Sequence, residues 1–130
     1  MPESLPTFSK EEIDSFKDAP YPEIAYRVLS KVLEGEVDDE SLKAITYDAY
    51  NYDVPLEKVD DLTYIMRLDR GPTASFKDFA ARMMARLMQY YLSKENKSLT
   101  ILTATSGDTG SAVAHAFYGL DNIKVNAFPN

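Results

Sequence analysis

The sequence predicts an α/β protein: a helical region over residues 1–55, then, over 56–130, a domain of parallel strands joined by crossover helices. Three observations predict it. Apolar residues before position 55 recur at helical spacing. From about position 60, runs rich in β-branched and aromatic residues alternate with helix-length amphipathic runs, the order that builds parallel sheets. Two junctions between such runs, at 71–78 and 106–111, combine glycine with hydroxyl side chains, the composition of tight turns that open helices.

Each element has its own signal. Ser9-Lys10-Glu11-Glu12 is a capping box, which opens a short helix toward Ala19. Pro22 suits the first turn of a second helix, whose apolar face is Ile24, Ala25, Val28, Leu29 and Val32, with Gly35 as its stop. A third helix is expected from Asp39 to Tyr50, with Leu42, Ile45 and Ala49 inward, until Asn51, Asp53 and Pro55 break the pattern. Leu62 to Leu68 reads as a strand and Phe76 to Ser93 as a long helix. The stripe Phe76, Phe79, Ala80, Met83, Met84, Leu87, Met88 and Tyr91 is assigned to core packing. Leu99 to Thr105 reads as a buried strand, Thr109 to Tyr118 as a helix closed by Gly119, and Ile123 to Phe128 as a last strand. All three strands are expected to run parallel. The last is followed at once by Pro129-Asn130, so the sheet is expected to need further chain or a partner over its face and edge.

Composition excludes several functions. Hydrophobic residues make up 45% and charged residues 27%, an ordinary soluble balance. The net charge of −7 opposes nucleic-acid binding, because a phosphate backbone would be repelled. No stretch is long and apolar enough to span a membrane. Met1-Pro2-Glu3-Ser4 lacks the basic and apolar segments of a signal peptide, so a cytoplasmic location is expected. Cysteine is absent and His115 is the only histidine, so no metal site is expected. The acidic run Glu34, Glu36, Asp38, Asp39, Glu40 reads as a solvated turn, and His115 as a packed or solvated side chain.

The two junctions carry the chemistry. Gly71-Pro72-Thr73-Ala74-Ser75-Phe76-Lys77-Asp78 presents a lysine at a helix start, where the positive end of the helix dipole and any burial favour the neutral amine. Such an amine can attack an aldehyde and later move protons. Thr73 and Ser75 can cap the helix or donate to an anion. The bland alternative is an exposed Lys77 whose charge Asp78 offsets. Ser106-Gly107-Asp108-Thr109-Gly110-Ser111 offers free N–H groups, hydroxyls and close approach, which suits an anion. Asp108 opposes a phosphate and would suit a hydroxyl, a cationic ring or a protonated imine. The alternative there is a plain helix cap by Asp108 or Ser106. In a parallel sheet both turns leave the carboxyl ends of strands and open on one side, and neighbouring strands about 4.8 Å apart put them within reach of one small cofactor. An amine facing an anion-binding turn is the arrangement a pyridoxal-phosphate site needs.

The first junction resembles the cofactor-lysine motif of threonine synthases, and Ala104-Thr105-Ser106-Gly107-Asp108-Thr109-Gly110-Ser111-Ala112 resembles their second signature at the expected distance. Residues 60–130 are similar to the family throughout, and the helical part is similar in order and length. The resemblance implies the start of a three-layer αβα domain of the fold-type II pyridoxal-phosphate enzymes. It also implies a lyase that converts O-phospho-L-homoserine and water to L-threonine and phosphate, the last step of threonine biosynthesis. Lys77 would hold pyridoxal 5′-phosphate as a Schiff base and transfer protons. Ser106, Gly107, Asp108, Thr109 and Gly110 would contact the cofactor, and Thr73, Ser75, Thr105, Ser106 and Thr109 the substrate. Where many relatives have an aromatic-histidine pair, Asp69-Arg70 stands here, and Arg70 could pair with a phosphate or with Asp69. The family's proteins are several times longer. Their cofactor-phosphate loop and pyridine-nitrogen partner would lie beyond Asn130, so this chain by itself is expected to be inactive. Two other readings use the same scaffold: another fold-type II lyase such as a dehydratase, and a non-catalytic domain that binds a phosphometabolite or a partner protein.

Overall fold

A computed structural model describes residues 5–105 and 107–128, which divide into two compact units, Met1–Asn51 and Tyr52–Asn130. No helix among the described residues is long and apolar enough to cross a membrane.

The first unit holds three helices, α1 (Lys10–Asp14), α2 (Tyr21–Val32) and α3 (Asp39–Ala49). The capping box forms: the Glu12 N–H donates to Ser9 Oγ at 3.2 Å, and the Ser9 N–H donates to Glu12 Oε2 at 2.7 Å. Pro22 lies in the first turn of α2, where its missing N–H costs nothing. Leu42 and Ala49 of α3 are buried, as is Thr46, which a polar-outward reading of the pattern misses. Thr46 tolerates burial because its hydroxyl donates to the Lys43 carbonyl at 2.9 Å. Helices α2 and α3 are tied by Glu23, which accepts from Arg27 at 2.9 Å and from the Tyr47 hydroxyl at 3.0 Å and pairs with Lys43 at 3.3 Å. These partners, Arg27 foremost, lower the Glu23 pKa. Such surface contacts specify the pairing more than they stabilise it.

Tyr50 closes α3, edge-to-face with Tyr21 at 5.1 Å between ring centroids. Burial, reinforced by Tyr21, pushes the Tyr50 phenol up from 10 to about 12. A phenol held neutral in the fold ionises more easily when unfolded. Its contribution is therefore complete below about pH 10 and falls away as pH rises toward 12. Tyr21, Tyr26 and Tyr47 are also raised, but Tyr50 the most, so an alkaline titration followed at the tyrosinate absorption band is expected to lose its latest-ionising phenol in Tyr50→Phe. Coincidence of all transitions near pH 10 would refute the burial.

The second unit begins with β1 (Leu56–Lys58) and β2 (Tyr64–Met66), followed by α4 (Lys77–Glu95), β3 (Leu99–Ala104), α5 (Asp108–Phe117) and β4 (Ile123–Phe128). Here the expected topology needs correction. The strand read at 62–68 is shorter and pairs antiparallel with β1, Leu56 opposite Met66, rather than parallel with β3. The reason is local. Asp60 Oδ1 accepts the N–H groups of Leu62 and Thr63, each at 2.9 Å, and the Val59 N–H donates to the Thr63 carbonyl at 3.0 Å. This Asx-type turn folds the chain back into a hairpin. Among the described residues, only β3 and β4 pair in parallel, from Leu99 opposite Ile123 to Ala104 opposite Phe128, with α5 as their crossover.

The core of this unit is built where α4 packs on α5 and the β3–β4 pair: Ala81, Ala85, Ala112, Ala116, Phe117 and Ile123, with Met88, Leu92, Ile101, Val113, Leu120 and Val125 around them. The apolar stripe predicted for α4 forms in part: Met83 is buried and Met88 packs on the core. Phe76, Met84 and Tyr91 are exposed, while the inward line runs 81, 85, 88, 92, a helical i, i+4, i+7, i+11 series. Ala81 and Ala85 let the two helices approach closely, and Met88 and Leu92 pack around that contact. Strand β3 is also less buried than expected: its residues alternate between half-buried and exposed, and Leu102 is open to solvent. Asn96 stops α4 in the left-handed conformation, φ 51°, and Gly119 follows α5 with φ 75°.

Candidate functional site

The 71–78 turn is organised around Asp78. Its carboxylate is fully buried and accepts the Thr73 N–H on Oδ2 and the Thr73 hydroxyl on Oδ1, both at 2.8 Å. Hydrogen bonds to a charged acceptor are the strong ones, and here they offset the cost of removing the carboxylate from water. The same side chain fills the space beside Gly71, where an added Cβ would lie 2.8 Å from Asp78 Cβ, so the turn requires glycine. The Ala74 N–H donates to the Gly71 carbonyl at 3.0 Å, and Ala74 is held left-handed at φ 54°. For a non-glycine residue this conformation costs about 1–2 kcal/mol, which the surrounding bonds must balance. Asp78 is thus an anchor within the turn, and the bland reading of a solvated Lys77–Asp78 pair is corrected. Its signal in the sequence was the close succession of Gly71, Thr73 and Asp78, which a search for ligand-facing groups passes over.

Lys77 is the first residue of α4. Its N–H donates to Ser75 Oγ at 3.3 Å, and Ser75 is buried, so both hydroxyls of the motif are engaged in shaping the turn. The Lys77 side chain is half-buried, with Nζ 4.8 Å from the Phe76 ring centroid. Upstream, Arg67 grips Asp69 through two hydrogen bonds at 2.7 and 2.6 Å and also reaches Glu57 at 2.5 Å. Arg67, with Arg70 adding its field, lowers the Asp69 carboxyl to about 2. The partner of Asp69 is therefore Arg67, not the neighbouring Arg70.

The second turn leaves the sheet where the Thr105 N–H meets the Phe128 carbonyl at 3.3 Å. Ser106 lies outside the described residues. The Gly107 N–H donates to Thr105 Oγ1 at 3.3 Å, so one predicted substrate-contact residue shapes its own turn. Gly107 caps α5 without a side chain and Asp108 is the first helical residue, so the alternative of a cap by Asp108 does not apply. Gly110 is buried against the Thr105 methyl, which a side chain at 110 would overlap. By contrast, nothing lies within 4 Å of where a Cβ of Gly107 would point, and Gly107, Asp108 and Thr109 are exposed.

The structure gathers Gly71, Thr73, Ser75, Lys77 and Asp78 into one turn, and Thr105, Gly107 and Gly110 into another. Because β2 is not hydrogen-bonded beside β3, strand spacing does not relate the two turns. What relates them is the packing of α4 on α5 through their alanines, since each helix begins at one of the turns.

A lysine leading one helix and an open glycine turn leading its packing partner, beside the parallel β3-α5-β4 unit, define part of an α/β fold. In sequence and fold, the chain is similar to the N-terminal portion of threonine synthases. A family model described as "Threonine synthase N terminus" matches residues 1–50. The threonine synthase of Haemophilus influenzae is 42% identical over 125 residues, which cover 96% of this chain and 28% of that protein. A crystal structure of pyridoxal-phosphate-bound threonine synthase from Brucella melitensis superposes with a TM-score of 0.94 at 34% identity, covering 99% of this chain and 29% of that one. The structure of the Escherichia coli threonine synthase gives 0.84 at 40% identity, covering 97% and 29%. The chain spans under a third of the length of the relatives it matches.

Proposed function

We propose that this chain supplies the cofactor-lysine portion of a cytoplasmic threonine synthase, acting on O-phospho-L-homoserine with pyridoxal 5′-phosphate. The observation that carries the reading is Lys77, half-buried at the head of α4 on a turn locked by Gly71, Thr73 and Asp78. The residues suit the cofactor: an amine on a rigid element, and open space before Gly107 for a planar ring. When bound, the cofactor supplies an electron sink for carbanion chemistry on an amino acid. Lys77 then holds the cofactor and moves the substrate proton at Nζ. Gly107, Asp108, Thr109 and Gly110, with Ser106, would contact the cofactor, and the Asp108 carboxylate would suit its hydroxyl rather than its phosphate. Thr73, Ser75, Thr105, Ser106 and Thr109 would contact the substrate, and the hydroxyls of Thr73, Ser75 and Thr105 also position their own segments through turn bonds.

The similarity to threonine synthases across almost the whole chain favours this reading over a dehydratase or a non-catalytic scaffold. The 130-residue chain by itself is expected to be inactive, because it spans less than a third of its relatives. Borohydride reduction of the pyridoxal-phosphate-treated protein at its full natural length, followed by peptide mapping, is expected to place the pyridoxyl group on Lys77 alone. Lys77→Ala is expected to abolish both the label and turnover. A label on another lysine would overturn the assignment.

A further inference from the structure

We infer that Asp78 is the positioning residue for the Lys77 amine, an inference that rests on the cofactor reading above. The carboxylate points into the turn and is held there by both donors of Thr73. Successive helical residues are displaced by about 100° around the axis. Fixing the direction of Asp78 therefore fixes the direction in which Lys77 leaves the first turn of α4. Two further contacts make the arrangement rigid. Gly71 is packed against the Asp78 side chain, and Ser75 Oγ holds the Lys77 N–H. The left-handed Ala74 shows that the turn is not a relaxed one, so it should reorganise once the Asp78 bonds are lost. Asp78 has no route to substrate itself, being fully buried, so its effect on chemistry passes through the neighbouring lysine.

The test uses the protein at its full natural length, with pyridoxal phosphate as probe and borohydride capture on Lys77 as readout, without substrate. Asp78→Asn keeps the shape but turns an NH2 group toward a donor of Thr73. Thr73→Val removes only the hydroxyl bond. In Asp78→Asn, capture per folded molecule is expected to slow at least tenfold and its pH midpoint to move, with helical content retained. Thr73→Val is expected to shift both in the same sense by a smaller factor. If Asp78→Asn does not fold, Thr73→Val decides. Wild-type capture rate and pH midpoint in the folded variants would overturn the positioning role and leave the cofactor reading intact. Failure to capture on Lys77 in the wild-type protein would overturn both.

Discussion

Phe117→Ala is expected to destabilise the second unit by about 4 kcal/mol, the usual cost of removing a buried aromatic ring. Phe117 is 1% exposed and closes α5 over the alanine-lined contact with α4, where Ile123 and Leu120 also pack. Those small neighbours cannot move in to fill the space left by a ring, so a cavity should persist and the cost should sit at the high end. Leu102→Ala is the control. Leu102 is 69% exposed on the open side of β3, and its loss should change stability by no more than about 0.5 kcal/mol. Urea unfolding of the two variants should separate them clearly. Equal midpoints would mean that α5 is not seated as described.

Gly71→Ala is expected to cost about 2–3 kcal/mol, the range for forcing atoms into a filled site. The added methyl would lie 2.8 Å from Asp78 Cβ, against backbone-fixed atoms that no rotamer change can move aside. Relief requires the turn to open, which releases the Thr73 bonds and frees Ala74 from its left-handed conformation. Hydrogen exchange at the Thr73 amide should therefore accelerate along with the drop in stability. Gly107→Ala is the comparison: nothing lies within 4 Å of its added methyl, so no packing is disturbed and the loss of stability should be much smaller. If Gly71→Ala were as harmless as Gly107→Ala, the account of the turn would be wrong.

Much of the fold was legible in residue order. The Ser9 capping box, the Gly119 stop and the strand at 123–128 are local signals, and each forms where it was read. The β3-α5-β4 unit followed from element order alone. The hairpin was not legible, because Leu56–Lys58 is only three residues and its pairing depends on an aspartate turning the chain. The inward face of α4 was legible only in part, for a different reason. Periodicity identifies apolar positions, and α4 carries more of them than one face can bury: Ala81, Met83 and Ala85 are buried and Met88 packs on the core, while Phe76, Met84 and Tyr91 are exposed. Only the partner helix decides which of them are buried.

By itself, the sequence determined which chemistry is on offer: a lysine at a helix start, a glycine turn with hydroxyls, and the family these motifs resemble. It did so because motif chemistry depends on residue type and short spacing, both written along the chain. Tertiary structure alone decided that the acidic neighbour of the lysine is an internal anchor, that Gly71 exists to accommodate it, and that helix packing rather than strand pairing relates the two turns. Burial and side-chain direction arise from contacts between distant segments, and no local spacing encodes which of several competing contacts is made.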